Sequence, residues 1–320
     1  MKILFMGTSE FAVPSLEKLI EKHFDLIGVV TQPDRPSGRG KRLTPPPVKV
    51  VATKHNLPIY QPKKVRHQDF IRELKRLQPS AIVVAAFGQI LPKSVLELPP
   101  CGTINVHPSL LPKYRGAAPI QWALINGETE TGITIMLLDE GEDTGDIILQ
   151  KRVEIDTDDT AATLSERLAR LAAPLLIQAL ESAPADAPPP HTPQNHALAT
   201  HAPQLTKEIG HIDWEKSAMA IRNLVRGTAI WPGAYTSFGS NQRLKIIECR
   251  VVDYRNSENL PPGTIEISPD KKLIVFTGQG ALRLERVQPA NKKEMAVRDF
   301  LNGYHLKTGD RFKNKSSIVN

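Results

Sequence analysis

The stretch Ala81-Ile-Val-Val-Ala-Ala-Phe87 is an unbroken apolar run of strand length. A strand that is apolar on both faces is typical of a parallel sheet covered on both sides. Outward from it, strand-like runs at Ile3–Gly7, Leu26–Thr31 and Thr103–His107 alternate with helical segments such as Phe11–Lys22. This alternation predicts an α/β fold with a doubly wound, mostly parallel sheet.

The chain changes character after a long predicted helix at residues 160–180. A Pro-rich connector follows, and beyond it short strand-like runs are separated by Gly, Pro and Asn turns, which predicts a small β-barrel. We therefore expect an α/β domain at residues 1–189, a Pro-rich linker at 190–206 and a barrel domain at 207–320. The stretch Gln32–Pro47 is too polar and too rich in Pro and Gly to predict a regular element.

The positive charge is unevenly distributed along the 320 residues. Residues 207–320 carry 19 Lys and Arg against 12 Asp and Glu, and this surplus of +7 is the whole net charge of the chain. Such a surplus either keeps the domain soluble or forms a surface that attracts a polyanion. Composition alone favours neither interpretation.

Several classes of protein are disfavoured. The two cysteines are too few for a disulfide scaffold or an all-cysteine metal site and indicate reduced thiols. No run approaches the roughly 18 apolar residues of a membrane helix, and the N-terminus lacks a signal-peptide core, so we expect a cytoplasmic protein with no membrane partner. The turn Phe5–Glu10 has a single glycine and does not match the GxGxxG pattern of dinucleotide sites, and no P-loop motif is present.

The most informative motif is the run from Thr103 to Ile120, which contains Asn105 and His107. Residues two apart on a strand share a face, so these two polar side chains should point the same way from a strand end. Ligands of parallel sheets bind beyond such ends. The residues alone leave two alternatives open: a site for chemistry, or a pair that only ties down a loop.

A second motif, Leu138–Asp146, holds five acidic residues and two glycines in nine positions. One of these carboxylates could orient the imidazole of His107, and the others would be solvated. A divalent cation is the alternative, although the spacing fits no calcium loop. We expect no metal.

A third motif is the insert Gln32–Arg42. It contains one acidic residue, Asp34, and four basic residues: Arg35, Arg39, Lys41 and Arg42. It is either a solvated loop or a mobile basic loop, here called the basic finger, that contacts the phosphate backbone of a nucleic acid.

Taken together, the run Asn105–Pro112, the run Arg115–Pro119 and the downstream Asp143-Thr-Gly closely resemble the folate-dependent formyltransferases. The insert and the basic C-terminal domain resemble the branch of that family that formylates methionine carried by initiator methionyl-tRNA. The resemblance covers nearly the whole chain. Pro108 stands where some members have Gly, which alters backbone freedom but removes no chemistry.

The resemblance implies a Rossmann-like N-terminal domain and an OB-like C-terminal barrel that binds tRNA. It implies 10-formyltetrahydrofolate as the formyl donor and a reduced folate as its product, with no metal. Asn105, His107 and Asp143 would be catalytic, and Arg39, Lys41 and Arg42 would contact tRNA. The folate-binding residues it implies are Ser109, Leu110, Leu111, Pro112, Phe87, Gly88, Gln89, Ile90, Leu91 and Asp139. We expect a monomer.

Two other functions share parts of this pattern. A formyltransferase for a small amine would have the same catalytic run but no need for the basic insert or the charged barrel. A non-catalytic RNA-binding protein on a degenerate scaffold would not need Asn105, His107 and Asp143 together.

The resemblance of the insert generates a first prediction. Replacing Arg39 by Ala should reduce discrimination of initiator from elongator tRNA more than it weakens folate binding, because an arginine fork recognises nucleic acid directly. The ratio of kcat/KM for the two charged tRNAs measures this effect. An unchanged ratio would contradict the basic-finger interpretation.

Overall fold

The computed structural model describes residues 1–37, 42–254 and 260–314, with backbone alone at Ser37 and Arg42. The chain divides into two compact units. The first comprises Met1–Pro119, Glu130–Ile155 and Thr163–Pro203, and the second comprises Ile120–Thr129, Asp156–Ala162 and Gln204–Asn320.

The strands of the first unit are β1 (Lys2–Gly7), β2 (Asp25–Val30), β3 (Arg35–Ser37), β4 (Arg42–Thr44), β5 (Ile59–Tyr60), β6 (Ala81–Ala85), β7 (Thr103–His107), β8 (Glu130–Leu137) and β9 (Ile147–Glu154). Seven of them form its central sheet, in the order β5-β2-β1-β6-β7-β8-β9. The first five strands in this order are parallel, and β7–β8 and β8–β9 are antiparallel. The predicted α/β fold with a mostly parallel sheet is confirmed.

The helices up to residue 181 are α1 (Val13–Glu21), α2 (Pro47–Lys54), α3 (Gln68–Leu77), α4 (Lys93–Leu96), α5 (Pro119–Ile125) and α6 (Ala161–Glu181). Helices α1 to α4 belong to the first unit, whereas α5 after Pro119 belongs to the second. All five residues of β6 are buried, as the unbroken apolar run predicts. Residues of β1, β6 and α3 share one core cluster, so the central strands are held by packing on the helices.

The stretch Gln32–Pro47 differs from expectation, because β3 and β4 form a short antiparallel ladder with Arg35 opposite Thr44. Leu43, in the middle of β4, is 71% exposed. This ladder is held by backbone hydrogen bonds rather than by burial, so hydrophobic periodicity carries no signal for it.

The second unit contains an antiparallel sheet of order β10-β11-β14-β13-β12, with β15 paired to β14. Its elements are α7 (Ala218–Gly227), β10 (Ala234–Phe238), β11 (Gln242–Val252), β12 (Ile265–Ile267), β13 (Leu273–Phe276), β14 (Ala281–Pro289), β15 (Met295–Ala296) and α8 (Val297–Gly303). Arg311 bridges to Thr264 beside β12, and Lys313 bridges to Ser237 in β10. The chain after α8 therefore connects both edge strands and closes the sheet into the predicted small barrel.

Trp214 anchors the interior of this barrel. It is fully buried, donates its indole N–H to Thr236 Oγ1 at 3.1 Å, and stacks on Phe312 with ring centroids 5.7 Å apart. Because Phe312 belongs to the closing segment, the same aromatic contact packs the core and holds the closure.

The segment expected as a Pro-rich linker, 190–206, contains ordered backbone. Thr192 exchanges two backbone hydrogen bonds with Ile147, the first residue of β9, and Ala202 N–H donates to Arg115 O at 2.7 Å. These contacts lie within the first unit. The exact domain boundaries stay a prediction.

The burial of both thiols generates a second prediction. Cys101 is 2% exposed and Cys249 is 6% exposed, and burial raises the pKa of the Cys249 thiol to about 12. Only the thiolate is nucleophilic, so native protein at pH 8 should react with a disulfide reagent at least about 100-fold more slowly than protein unfolded in guanidinium. Rapid labelling of either cysteine with circular dichroism still native would contradict this burial.

Candidate active site

Two side chains selected from the sequence lie at the end of β7. Asn105 is half-buried and His107, the last residue of the strand, is buried. Being two residues apart on a strand, they share one face of the sheet. The side chain of Asn105 makes no hydrogen bond within the part of the chain that the structure describes, which leaves its amide N–H groups available to a ligand.

The turn between β8 and β9 carries Asp143. Leu137 N–H donates to Asp146 O at 2.9 Å and closes the turn at its base. Asp143 adopts the left-handed conformation, with φ of 53°. A non-glycine residue in this region costs about 1–2 kcal/mol, so surrounding contacts must hold the turn in place.

His107 and Asp143 meet although they lie on separate segments. His107 Nδ1 is 3.5 Å from Asp143 Oδ2, and the same oxygen accepts the Gly116 N–H at 2.8 Å. His107 Nε2 is 3.0 Å from the carbonyl oxygen of Tyr114, which can only accept, so Nε2 carries a proton. Nδ1 is therefore the ring nitrogen that can exchange a proton with its surroundings.

Asp143 keeps one oxygen free. Oδ1 accepts no hydrogen bond from any described residue, and the side chain is 14% exposed. A carboxylate fixed through one oxygen and open at the other can accept a proton from a ligand or a water.

The loop after β7 is rigid. Thr134, fully buried in β8, donates its hydroxyl to Ser109 O at 2.7 Å and accepts Leu111 N–H at 3.2 Å. Ser109 Oγ donates to Lys113 O at 2.7 Å. Leu110 covers Gly132, where an added Cβ would lie 2.4 Å from Leu110 Cδ2. This part of the expected folate contact is a fixed wall beside His107.

The segment after β6 presents main chain and one apolar side chain to solvent. Phe87 is buried, Leu91 is 8% exposed and Ile90 is 93% exposed. An added Cβ at Gly88 would meet only Gln32 Nε2, at 3.9 Å. Gln89 Oε1 accepts Val65 N–H at 2.9 Å and ties the segment down. The segment thus offers an exposed apolar side chain beside open backbone.

The exposed side chain of Asp139 is hydrogen bonded within its own turn. Its Oδ1 accepts from Gly141 N–H at 3.0 Å and from Thr144 Oγ1 at 2.6 Å. A cleft of about 410 Å³ lies between this turn and α4, and Asp139 lines it together with Leu138 and Leu96. A larger cleft of about 620 Å³ in the second unit contains none of the residues selected from the sequence.

The expected tRNA contacts are not described in the same detail. Arg39 and Lys41 lie outside the described residues, and Arg42 begins β4 with no side chain described. Their proposed role stays a prediction.

Sequence reasoning missed two buried residues of the site. Arg115 is 5% exposed and Gln194 is 6% exposed, and they are hydrogen bonded to each other beside Asp143. The available signal for Arg115 is that it is the one charged residue of the run Arg115–Pro119. Gln194 lies in the Pro-rich segment, where no local pattern distinguishes it.

Among the described residues, no group of three or more His, Cys, Asp or Glu is placed to hold a metal ion. No helix in the same part of the chain is both long and apolar enough to span a membrane.

Comparison with known proteins assigns the class. The formyl transferase family profile matches residues 1–180, and the profile of the formyl transferase C-terminal domain matches residues 204–305. The chain therefore belongs to the formyl transferase family.

Two relatives are similar over nearly their full length, and both are methionyl-tRNA formyltransferases. The protein from Caldanaerobacter subterraneus subsp. tengcongensis is 48% identical over 314 residues, covering 98% of this chain and 100% of the relative. The protein from Thermodesulfovibrio yellowstonii is 49% identical over 307 residues, covering 96% and 97%.

Solved structures with the same fold are more distant. A sugar 3N-formyl transferase, crystallised in the presence of dTDP and 5-N-formyl-THF, has a TM-score of 0.65 at 21% identity and covers 92% of this chain and 99% of its own. The N-formyltransferase from Helicobacter canadensis has a TM-score of 0.63 at 19% identity, covering 90% and 99%.

Proposed function

We propose that this chain transfers the formyl group of 10-formyltetrahydrofolate to the α-amino group of methionine on initiator methionyl-tRNA. The observation that carries the proposal is the full-length similarity, at 48% identity, to a methionyl-tRNA formyltransferase. The surplus of +7 in residues 207–320 supports a polyanionic substrate. We further propose that the protein acts as a cytoplasmic monomer and needs no metal.

The donor supplies an acyl group whose carbonyl carbon is attacked by the neutral methionine amine. Attack forms a bond between the amine nitrogen and the formyl carbon and places negative charge on the formyl oxygen. Collapse of this intermediate breaks the bond between the formyl carbon and N10 of the folate, and N10 gains a proton as tetrahydrofolate leaves. We assign the amide N–H groups of Asn105 to this oxygen, because they are accessible and are not used within the described fold. A preorganised donor of this kind contributes about 3–4 kcal/mol to transition-state stabilisation.

The attacking amine must also lose a proton. Asp143 Oδ1 is the open acceptor, whereas Oδ2 is held by Gly116 and faces His107 Nδ1. A proton that reaches the carboxylate can be shared with the imidazole across the Oδ2–Nδ1 contact. We assign proton transfer to this pair, directly or through one water.

Folate binding is assigned to two segments of the first unit. Ser109–Pro112 would form the rigid wall beside His107, and Phe87–Leu91 would supply main chain and the exposed side chain of Ile90. Asp139 would contact the folate from the adjacent turn. Arg39, Lys41 and Arg42 are proposed to contact the tRNA.

One assay tests the function as a whole. Labelled 10-formyltetrahydrofolate is offered with charged initiator tRNA and, separately, with small amines such as an amino sugar nucleotide. Formyl transfer to methionyl-tRNA alone supports the proposal. Transfer to a small amine would instead favour a small-molecule formyltransferase, and tRNA binding without transfer would favour a non-catalytic RNA-binding protein.

A third prediction concerns the proton-transfer pair. His107→Ala and Asp143→Asn should each lower single-turnover formylation by roughly 10²–10⁴-fold while tRNA binding persists, because each removes a proton-transfer group. Asp69→Asn, at a position 88% exposed on α3, is the matched control and should retain full activity. A nearly normal rate in either site variant would contradict the assignment.

A fourth prediction concerns the basic second unit. If its cations neutralise tRNA phosphates, raising salt from 50 to 200 mM should weaken tRNA binding about tenfold for every two phosphates contacted. Binding of a folate analogue over the same salt range is the control. A tRNA affinity that does not change with salt would remove the proposed role of the charge.

A further inference from the structure

The segment Thr192–Ala202, here called the strap, contacts the loop after β7 and the turn after β8, which lie beside His107 and carry Asp143. At one end, Thr192 pairs with Ile147 next to the turn of Asp143. At the other end, Thr200 O accepts Arg115 N–H at 2.9 Å and Ala202 N–H donates to Arg115 O at 2.7 Å. The strap therefore contacts both the turn after β8 and the loop after β7.

Gln194 is the buried residue of the strap that joins these two loops through its side chain. Its Nε2 donates to Asp143 O at 2.9 Å and to Gly145 O at 2.6 Å. Its Oε1 accepts from Arg115 Nε at 3.2 Å and Nη2 at 2.7 Å. Both amide hydrogens and both acceptor positions are used, so the side chain is fully engaged.

The chemistry of these contacts requires an amide. A glutamate could accept from Arg115 but could not donate to the carbonyls of Asp143 and Gly145. A methionine has similar length and makes none of these bonds. Only a side chain with a donor and an acceptor can link two carbonyls to a guanidinium.

Arg115 completes the link. Its guanidinium forms no ion pair with a carboxylate among the described residues and is held by Gln194 and by His196 Nδ1, at 3.0 Å from Nη2. The next residue, Gly116, donates its N–H to Asp143 Oδ2 at 2.8 Å. Fixing Arg115 therefore fixes the donor that orients the carboxylate.

We propose that Gln194 and Arg115 are positioning residues for catalysis, which hold the left-handed turn of Asp143 so that its carboxylate faces His107. This inference rests on the proposed function and deepens it. The strap contacts Asp143 from behind, through its main-chain carbonyl, and leaves Oδ1 free. Loosening it should lower the chemical step and leave substrate binding nearly unchanged.

The test compares two near-isosteric variants, Gln194→Glu and Gln194→Met. Each should lower kcat about 10- to 100-fold with KM for both substrates within about twofold, because small displacements of a catalytic group have effects of this size. Asn195→Ser, at the exposed neighbouring position, is the control and should retain full kcat. A kcat close to that of the unaltered protein in both Gln194 variants would overturn the proposal.

A purely structural role is distinguished by the pattern of effects. It would lower thermal stability and raise both KM values along with the loss of kcat. Arg115→Lys serves as a second probe, since it keeps the charge but cannot present the two-nitrogen fork to Gln194. It should reproduce the selective loss of kcat, and an unaltered kcat in this variant would also count against the proposal.

A double-mutant cycle separates this inference from the proposed function. If Gln194 acts through Asp143, Gln194→Met should cause little further loss in an Asp143→Asn background. Independent, multiplying losses would contradict the positioning role alone. An active Asp143→Asn protein would instead contradict the catalytic assignment on which it rests.

Discussion

The contact of Asp143 Oδ2 with the Gly116 N–H and His107 Nδ1 is the interaction on which the rest of the site depends. It joins the end of β7 and the loop that follows it to the turn after β8, where Asp143 lies 27 residues beyond Gly116. They meet because β7 and β8 pair antiparallel, with His107 opposite Thr134 and Ile104 opposite Leu137. A slip of one residue in this register would turn His107 to the other face of the sheet and leave the carboxylate without its partner.

The sheet supplies this register through burial. Ile104 and Val106 of β7, and Ile133 and Ile135 of β8, are 0–2% exposed, so any other pairing would expose apolar surface. Polar contacts then refine the positions of the loops. Buried Thr134 binds the backbone on either side of Leu110, and Gln150 of β9 donates to Leu111 O at 2.8 Å. Hydrophobic packing thus sets the positions of the strands, and hydrogen bonds from the strands set the position of the loop after β7.

The sequence predicts what is encoded locally. The apolar run of β6 and the alternation of Asn105 and His107 with apolar residues are visible without a structure, because strand periodicity has direct consequences for burial. The β3–β4 ladder is not predictable in this way, since exposed Leu43 contributes no core pattern. Strand β10, which follows the turn Trp231–Gly233, is also hard to predict, because it is short and its polar residues weaken the apolar pattern of a strand. The catalytic assignments of His107 and Asp143 rest on the family resemblance. Residue types alone leave open the alternative that these side chains only hold a loop in place.

The strap shows why composition misleads about order. It lies in the segment expected to be a linker, yet its contacts include two backbone hydrogen bonds at Thr192 and four side-chain hydrogen bonds at Gln194. These partners lie about 50 to 80 positions away in the chain, so no local pattern reveals them. The segment that looks most like a spacer therefore contacts both the loop after β7 and the turn after β8.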